Sequence, residues 1–314
     1  MPNPIHGVIA VGARHAVPLP RLAITLGDPA GIGPEVVRKA LKDKTLYKFC
    51  RPLIIGNLSD AGARHASPLE RIRPGVPSAV SGVLSYLNVK KSIELALSGK
   101  VQGVVHAPIS KAAWKKAGVL YPGHTELIAE LCGTKKFAMA IASGPIRTIM
   151  VTRHIPLAAV PGSIRKDEIL NCVRLSLDWM KQLKIRSPKI AVCALNPHAG
   201  ESGLIGQEEI RIIAPAIKEA RKKFGERVSG PLPADSAFKD LKAGRLDCLV
   251  TLYHDQSLIP AKLYDASRVV NLTLGLPFPR VSPGHGTAFD IAGKNKADPQ
   301  PMIEAILTCA KLCS

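Results

Sequence analysis

Short apolar runs with the character of β-strands alternate with helix-like segments along most of the chain, and this alternation limits the possible folds more than any other feature. Each helix-like segment repeats its apolar residues with the spacing of one helix face. This order is typical of an α/β protein with a mostly parallel sheet, because parallel strands need crossover helices between them. Strands are predicted over residues 22–26, 52–56, 103–105, 147–152, 189–195, 247–253 and 269–274.

Helices are expected in the intervals between these strands. The chain of 314 residues is long enough for one large domain or two intertwined ones with an ample core. Residues 1–20 contain several prolines and little periodicity, and they are predicted to form a loose extension. Helices are predicted to begin at Pro34 and to cover the periodic residues within 84–97, 169–180, 210–224 and 301–313.

The net charge of +19 brings a nucleic-acid-binding protein into consideration. However, the basic residues are spread along the chain, and aromatic residues, which stack on single strands, make up only 4% of it. No recognition helix or aromatic motif is visible, so a nucleic-acid partner is not favoured. A basic surface that attracts small anionic ligands is the milder interpretation.

The sequence also predicts a cytoplasmic protein without a membrane partner. No apolar run approaches the roughly 20 residues needed to cross a bilayer, and the N-terminus lacks the basic start and continuous apolar run of a signal peptide. The seven cysteines are scattered, odd in number and free of CxxC spacing, which is typical of reduced thiols in the cytosol.

Three histidines share one sequence context, since His154, His198 and His254 each follow a predicted strand. In open parallel sheets, ligands bind outside the carboxyl ends of the strands, so the three imidazoles have an opportunity to converge. Three neutral imidazoles are a common open ligand set for Zn²⁺ or a similar divalent metal. The competing interpretation is three unrelated turn or core histidines.

Several polar loops could bind a ligand or be ordinary turns. GDPAGIGPE (27–35) joins a strand to a helix whose N-terminus could attract an anion, or it is a demanding βα turn. GHTE (123–126) could clamp a polar substrate, or Thr125 could cap a helix. Asp235 could orient a ligand or a metal-bound histidine, or lie in a plain turn. In HGTAFDIAGKNKADP (285–299), His285 and Asp290 could contact adenosine, or Thr287 could cap a helix.

Eight such motifs occur in one order, and together they are specific. The chain resembles the 4-hydroxythreonine-4-phosphate dehydrogenase family, NAD-dependent enzymes of pyridoxal phosphate biosynthesis, from about Arg21 to its C-terminus. The motifs are TLGDPAGIGPE, APISK, YPGHTE, NPHAGE, GPLPAD, YHDQ, NLTLGLPFPR and HGTAFDIAG.

The resemblance implies a two-domain isocitrate/isopropylmalate dehydrogenase-like α/β fold, with mostly parallel sheets and the active site in the interdomain cleft. Residues 21–125 and 256–314 would form an outer domain with the cofactor loop. Residues 126–255 would form a central domain that carries the metal ligands and the interface of a homodimer with shared active sites.

The resemblance also implies the roles of individual residues. His154 and His198 of one subunit and His254 of the other would bind a divalent metal, which is zinc, magnesium or cobalt. Rival candidates for moving the substrate's proton are Lys262, Asp255 and Asp235. The implied substrate-binding residues are His124, Thr125, Lys262, Asn271 and Arg280, and the implied cofactor-binding residues are His285, Ala288, Asp290 and Asp298.

The implied reaction is oxidation of 4-(phosphooxy)-L-threonine, with decarboxylation to 3-amino-2-oxopropyl phosphate. NAD is expected rather than NADP, because the carboxylate of Asp290 would repel a 2′-phosphate. Dehydrogenases of 4-phospho-D-threonate or 4-phospho-D-erythronate share nearly all the motifs and are the alternative. Dihydrodiol dehydrogenases are more distant, and a non-catalytic ligand-binding relative is a further alternative.

The chain departs from the family pattern in three places. Gly284 stands where the family usually has Asp, which puts the local loop geometry or the cofactor affinity in question. The segment 50–90 is shorter than usual, and Arg153 precedes His154 where a small polar residue is more common. The metal and substrate positions all keep the family's residue types.

Overall fold

The strands of the described chain join into a single sheet. The computed structural model describes residues 18–56, 72–121 and 123–314, and within these ranges ten strands lie side by side. They are β1 (Arg21–Thr25), β2 (Arg51–Ile55), β3 (Gly103–His106), β4 (Ala138–Ser143), β5 (Ile146–Met150), β6 (Ile190–Cys193), β7 (Val228–Leu232), β8 (Cys248–Thr251), β9 (Val270–Leu274) and β10 (Arg280–Pro283).

The sheet consists of two parallel blocks that run in opposite directions. The strand order is β2-β1-β3-β10-β9-β4-β5-β8-β6-β7. The block β2-β1-β3-β10 is parallel throughout, and so is the block β5-β8-β6-β7. Between them, β9 pairs antiparallel with both β10 and β4, and β4 pairs antiparallel with β5. The carboxyl ends of the two blocks therefore lie at opposite edges of the sheet.

Helices cover the sheet, and several begin at a side chain that accepts a backbone N–H. Ser78 and Ser81 form a reciprocal capping box, and Ser110 accepts the N–H of Ala113. The helices are α1 (Gly33–Ala40), α2 (Ala79–Leu97), α3 (Lys111–Lys116), α4 (His124–Leu131), α5 (Val160–Ser163), α6 (Lys166–Gln182), α7 (Ala214–Phe224), α8 (Ala234–Lys242), α9 (His254–Asp265) and α10 (Gln300–Leu312). None of the helices in the described ranges is long and apolar enough to cross a membrane.

The central strands of both blocks are buried on both faces, as helices on each side of a parallel sheet require. Leu22 and Ile24 of β1 and Val250 of β8 have no exposed surface. Ile169 of α6 and Ile306 of α10 are equally buried in the same apolar core. The core therefore runs continuously beneath the whole sheet.

All seven strands predicted from the sequence are present, and the expected α/β class with a mostly parallel sheet is confirmed. The sequence missed β4, β7 and β10. These strands contain Ala, Gly and Pro in place of β-branched runs, so their pairing depends on neighbouring strands rather than on propensity. Of the predicted extension 1–20, only residues 18–20 lie among the described residues, and the segment 50–90 is described except for 57–71.

Candidate active site

A cleft of about 290 Å³ lies over the antiparallel middle of the sheet. Ile141, Asn271 and Ser282 are paired across β4, β9 and β10, so their side chains share one face and line the cleft floor. Its lining includes segments that follow β3 and β10 and segments that follow β5 and β8. It thus connects the carboxyl ends of the two opposed blocks.

Most of the residues predicted to bind ligands line this one cleft. They come from distant parts of the sequence, and the fold brings them together around one cavity. Lys111 and Glu126 line it as well, although their motifs, APISK and GHTE, did not predict a role for either residue. The predicted residues that line it are His124, Thr125, His154, His254, Lys262, Asn271, Arg280 and His285.

Two of the three candidate metal ligands are neighbours in the cleft. The ring centroids of His154 and His254 lie 5.4 Å apart, with an angle of 47° between the ring planes. Burial lowers the pKa of His154, and the nearby Lys111 and His254 lower it further. A lowered pKa keeps the imidazole neutral near pH 7, and the neutral imidazole is the form that binds a metal.

The carboxylate of Asp255 fixes the orientation of His254. Nδ1 of His254 lies 2.6 Å from Oδ1 of Asp255. Because an ionised carboxylate can only accept, the proton resides on Nδ1 and the lone pair of Nε2 is free. This arrangement is typical of metal-binding histidines, whose second nitrogen donates to a carboxylate. In this chain Asp255 acts on His254 and does not line the cleft.

The third candidate ligand, His198, lies outside the cleft of its own chain. It belongs to the turn Pro197–Gly203, its side chain is 77% exposed, and its nearest carboxylate oxygen is that of Glu201 at 3.8 Å. Among the described residues, no three His, Cys, Asp or Glu side chains are grouped closely enough to hold a metal ion. Within one chain, two of the three predicted donors, His154 and His254, are therefore close together.

Within one chain, His154 lies beside His254, whereas the division that the family resemblance implied pairs His154 with His198; which chains share a site stays a prediction. That division paired His154 with His198 in one subunit and took His254 from the other. In the structure, β5 and β8 are adjacent strands, so the histidines that follow them meet in one chain. His198 follows β6 at the same sheet edge, but it lies in a turn with positive φ angles between 44° and 77° over residues 198–202, and its side chain is exposed.

Arg280 lines the same cleft and is a buried cation. It is 3% exposed, its Nε donates to Nδ1 of His106 at 3.2 Å, and its Nη1 lies 3.4 Å from the hydroxyl oxygen of Thr273. Burial lowers its pKa to about 10, so it stays charged at neutral pH. None of the ion pairs formed by described residues includes it. A buried charge without a carboxylate partner is costly unless a ligand neutralises it.

The cleft also contains buried polar atoms that lack a hydrogen-bond partner within the described chain. They are Nε2 of His124, Oδ1 of Asn271 and Nε2 of His285. Such atoms are rare in folded proteins, because burying a polar group without a partner is unfavourable. Three of them around one cavity indicate a polar ligand that hydrogen-bonds to all three.

His285 has a defined tautomer. Its Nδ1 lies 3.0 Å from the carbonyl oxygen of Gly286, which can only accept, so Nδ1 carries the proton and Nε2 is an acceptor. Burial lowers the pKa of His285, which keeps the ring neutral. His285 therefore presents an unprotonated nitrogen to the cleft, where a ligand could donate to it.

The segment 285–299 forms turns that are fastened to α1. The carbonyl of Thr287 accepts the N–H of Ile32, and Glu35 accepts the N–H of Ala297 at 2.8 Å. Lys39 also donates to the carbonyl of Ala297. No helix begins at Thr287, so the capping role considered for it is wrong. The glycine-rich segment 27–35 thus supports this loop.

The other predicted cofactor residues lie along the same loop, beyond the cleft. Ala288 has a φ of 40° and is half-buried, and Asp290 is exposed. Asp298 accepts the N–H of Gln300 at 2.9 Å, so its side chain helps α10 to begin. The capping role considered for Thr125 is also wrong, because Thr125 lies within α4 and Gly123 occupies the capping position.

The first departure from the family pattern, Gly284, is required by the local packing. A Cβ atom at this position would lie 2.5 Å from Cγ1 of Val269 and 2.8 Å from its carbonyl oxygen. The N–H of Gly284 donates to that same carbonyl. The backbone is thus too close to Val269 for any side chain, and the loop that leads to His285 is held tightly.

Arg153 lies in a second chamber of about 510 Å³ that adjoins the cleft. Its guanidinium carbon lies 4.8 Å from the ring centroid of Phe137, within the range of a cation–π contact. The chamber shares Lys111, Glu126 and His154 with the cleft. Arg153 thus lines the same chamber as His154, whereas Asp235 is exposed at the start of α8 and lines neither cavity.

Comparison with known proteins identifies the family of this chain. The family model described as "Pyridoxal phosphate biosynthetic protein PdxA" matches residues 36–309, which is most of the chain. The chain belongs to the PdxA family. It is 38% identical to 4-hydroxythreonine-4-phosphate dehydrogenase of Desulfosudis oleivorans, over 92% of this chain and 95% of that protein. The recognition made from eight sequence motifs is therefore confirmed.

The PdxA family includes proteins with more than one named substrate. The chain is 40% identical to a proposed D-threonate 4-phosphate dehydrogenase of Symbiobacterium thermophilum, over 93% of this chain and 96% of that one. A crystal structure of 4-hydroxythreonine-4-phosphate dehydrogenase from Klebsiella pneumoniae superposes with a TM-score of 0.84 at 35% identity, and covers 94% of this chain and all of that one. The family is thus one of dehydrogenases.

A more distant likeness concerns the fold alone. The β-decarboxylating dehydrogenase of Thermococcus kodakarensis superposes with a TM-score of 0.51 at 18% identity, over 92% of this chain and 81% of that one. The expected isocitrate/isopropylmalate dehydrogenase-like fold is thereby confirmed.

Proposed function

We propose that this PdxA-family chain oxidises 4-(phosphooxy)-L-threonine in a reaction that depends on NAD and a divalent metal, and decarboxylates it to 3-amino-2-oxopropyl phosphate. The observation that carries the proposal is the cleft itself. It combines a buried cation without a carboxylate partner, three buried polar atoms without partners, and two histidines at ligand spacing. A small, polar, phosphorylated acid matches that set of groups.

The substrate is held by groups at both sides of the cleft. The fork of Arg280 binds an anionic group, either phosphate or carboxylate, because a buried guanidinium favours a bidentate oxyanion. Oδ1 of Asn271 accepts a hydrogen bond from the substrate's ammonium or hydroxyl group. Nε2 of His124 hydrogen-bonds to a polar group of the substrate, and Thr125 lies beside it. These contacts orient the alcohol carbon in a site from which much water is excluded.

The donor set suits a divalent metal, which is zinc, magnesium or cobalt. His154 is neutral because of burial, and His254 has a free Nε2 because Asp255 holds its other nitrogen. The chemistry that a divalent metal supplies at this position is Lewis-acid polarisation of the alcohol oxygen. With two donors in the cleft, the chain needs a third from elsewhere.

The third donor is His198 of a second copy of the chain, so the functional form is a homodimer with shared sites. His198 lies on an exposed turn, and the neighbouring Leu204 is 85% exposed. Leu157, three residues after His154, is 70% exposed. Exposed apolar side chains near both histidines are compatible with burial against a partner, where they would leave water.

Lys262 lines the cleft and is exposed at its rim, so it is placed to carry the alcohol's proton from the site to solvent. Asp255 and Asp235 are less suitable for this role within one chain. The first is bound to His254, and the second lies outside the cleft. The chemistry that NAD supplies is acceptance of hydride from the alcohol carbon.

The loop 285–299 is the proposed binding site for the adenosine part of NAD. His285, Ala288, Asp290 and Asp298 follow one another along it, from the cleft outward. An exposed carboxylate at Asp290 favours NAD over NADP, because it repels a 2′-phosphate. The seven free cysteines suit a cytoplasmic enzyme.

A dehydrogenase of 4-phospho-D-threonate is the second candidate, because the chain resembles the relative from Symbiobacterium thermophilum as strongly as it does relatives named for the biosynthetic reaction. Formation of NADH should be measured with 4-(phosphooxy)-L-threonine, 4-phospho-D-threonate and 4-phospho-D-erythronate in turn. The highest kcat/KM with the L-threonine compound is the expected result. A higher value with either D-acid would replace the proposed substrate. Activity that survives complete chelation would remove the metal from the proposal.

A further inference from the structure

We propose that His106 is a positioning residue, which holds the guanidinium of Arg280 in place while leaving its positive charge for the substrate. Neither the residue type nor a sequence motif predicts this role, because His106 is the last residue of the buried strand β3. The proposal rests on the proposed function in one respect: it takes the ligand of the cleft to be a phosphorylated acid.

The hydrogen bonds around His106 allow one tautomer. Nε of Arg280 can only donate, so Nδ1 of His106 is the acceptor in their 3.2 Å bond. Nε2 then carries the proton and donates to the hydroxyl oxygen of Ser92 at 2.9 Å. The hydrogen of that hydroxyl goes to the carbonyl of Val89 at 2.6 Å. Each polar atom in this chain has a partner, so the imidazole has no freedom to rotate.

Packing fixes the ring as firmly as hydrogen bonding does. His106 has no exposed surface, and its ring stacks on that of His124 with centroids 4.9 Å apart and an angle of 13°. On its other side, His124 meets the edge of Trp114, whose indole N–H donates to Ser85. Two substrate-binding residues, Arg280 and His124, are therefore held by the same buried histidine.

The imidazole of His106, which accepts a hydrogen bond from Arg280, is neutral. Burial lowers the pKa of His106 well below its usual value, and the adjacent Arg280 lowers it further. A carboxylate at this place would hold Arg280 equally well, but it would cancel the positive charge in a low-dielectric setting. A neutral acceptor gives orientation without adding a negative charge of its own, so the positive charge of Arg280 remains available to the ligand.

Three variants at one position separate orientation from charge. His106→Asn keeps a neutral acceptor near the position of Nδ1. His106→Asp has the same shape and also accepts, but it adds a negative charge. His106→Leu removes the acceptor. Binding of inorganic phosphate to the purified full chain should be measured by calorimetry for each variant, and KM and kcat should be measured with 4-(phosphooxy)-L-threonine.

The expected order of phosphate affinity is wild type, then Asn, then Leu, then Asp. We expect the Asn variant to bind within about threefold of wild type and the Leu variant about tenfold more weakly, as for loss of a hydrogen bond to a charged group. The Asp variant should bind at least about tenfold more weakly than the Asn variant, because the ligand's anion then meets a neutralised pair. KM should follow the same order, with kcat changing much less.

Three outcomes would overturn the proposal. One is equal phosphate affinity in the Asn and Asp variants, which would show that the charge under Arg280 has no effect. Another is a Leu variant that binds phosphate like the wild type while retaining its circular dichroism spectrum and its melting temperature. The third is a wild-type protein that binds no phosphate.

A further variant distinguishes loss of the contact from misfolding, and the phosphate-binding measurement distinguishes the role of His106 from the proposed reaction. Ser92→Ala removes only the far hydrogen bond of His106, and it should weaken phosphate binding less than His106→Leu does. An effect of Ser92→Ala larger than that of His106→Leu would contradict the proposed chain of contacts. If phosphate binding follows the expected order but no phosphorylated acid yields NADH, the proposed reaction fails and the role of His106 stands.

Discussion

The cleft and the His198 turn both carry candidate metal ligands, but they fix their side chains in different ways. In the cleft, His154 and His254 are placed by adjacent parallel strands, and Asp255 orients one of them. The turn has no sheet neighbour on its outer side, and it relies on backbone conformation. Five consecutive residues, 198–202, adopt positive φ values that only glycine favours.

The turn is held rigid at its base, although it is exposed. Glu209 is 3% exposed, and its Oε1 accepts the N–H groups of both Leu195 and Asn196 at 2.8 Å. Its Oε2 accepts from the side chain of Asn196 at 2.8 Å. Backbone in a sparsely populated region persists only where surrounding contacts determine it, and it is concentrated at functional sites. The difference teaches that a side chain can be held in a defined place on an exposed turn without a neighbouring strand, as the proposed donation of His198 to a second copy requires.

The largest expected effect comes from removing the histidines singly. His154→Ala, His198→Ala and His254→Ala should each lower kcat/KM by about a thousandfold, as loss of a metal ligand costs several kcal/mol of transition-state stabilisation. NADH formation by each purified variant is the measurement. Wild-type activity of the His198→Ala protein would contradict a role of this turn in metal binding, because the turn would then have no part in the site.

Mixing these variants tests which histidines share a chain. After subunit exchange, His198→Ala with His254→Ala should recover about a quarter of the wild-type activity, since half the dimers would hold one intact site of two. His154→Ala mixed with His254→Ala should recover none, because the two ligands come from the same chain. Recovery in the second mixture would support the division that the family resemblance implied.

A smaller effect is expected from the carboxylate that orients His254. Asp255→Asn should weaken zinc binding about 10- to 100-fold, as loss of a carboxylate behind a ligating histidine does in other metal sites. Competition with a coloured chelator would measure the affinity. Asp240→Asn, in an exposed pair with Arg245, is the matched control and should leave zinc binding unchanged. Equal affinities of the Asp255 variant and this control would contradict the orienting role.

In the turn, substitution of Glu209 should lower the free energy of unfolding. Glu209→Gln keeps an acceptor for two backbone N–H groups and loses the charge, so the free energy of unfolding should fall by about 1.5 kcal/mol. Urea denaturation would measure it. If the turn is also preorganised for a partner, the variant should dimerise more weakly in sedimentation experiments. Unchanged stability and unchanged dimerisation together would show that the turn needs no support from Glu209.

The smallest effect concerns pH. The pKa of His106 is lowered in the folded state, so below the ordinary histidine value of 6.5 the unfolded chain binds a proton that the folded chain refuses. The stabilisation that neutral His106 gives the folded state is therefore complete above pH 6.5. Below this pH, the free energy of unfolding falls by about 1.4 kcal/mol per pH unit. His106→Asn should lack this share of the loss when unfolding is compared at pH 7.5 and 5.5. Parallel losses in both proteins would assign the acid sensitivity to other groups.

Much of the fold and part of the site could be predicted from the sequence. The seven strands with β-branched runs were found, because burial on both faces of a parallel sheet demands such runs. The antiparallel β4 and β10 were missed, because AMAIAS and RVSP carry little intrinsic strand preference. The reversal of strand direction in the middle of the sheet could therefore not be foreseen.

For the site, membership in a motif predicted which residues are functional, but it did not predict how these residues are arranged in space. The rule that ligands gather at carboxyl ends of strands correctly placed the three histidines at one sheet edge. It could not show that the turn after β6 points away, because positive φ values at His198 and Ala199 are not encoded by glycine. His106 was missed because a histidine at a strand end in a buried run looks like a core residue. Its contact with Arg280 joins residues 174 positions apart.

The opposed directions of the two strand blocks also bear on how such a protein can change over evolutionary time. Segments that follow β3 and β10 and segments that follow β5 and β8 all line the same cleft. Lys111, which follows β3, lowers the pKa of His154, which follows β5. A substitution in a segment of one block therefore also alters the surroundings of residues that the other block positions, so the two blocks are expected to change together rather than independently.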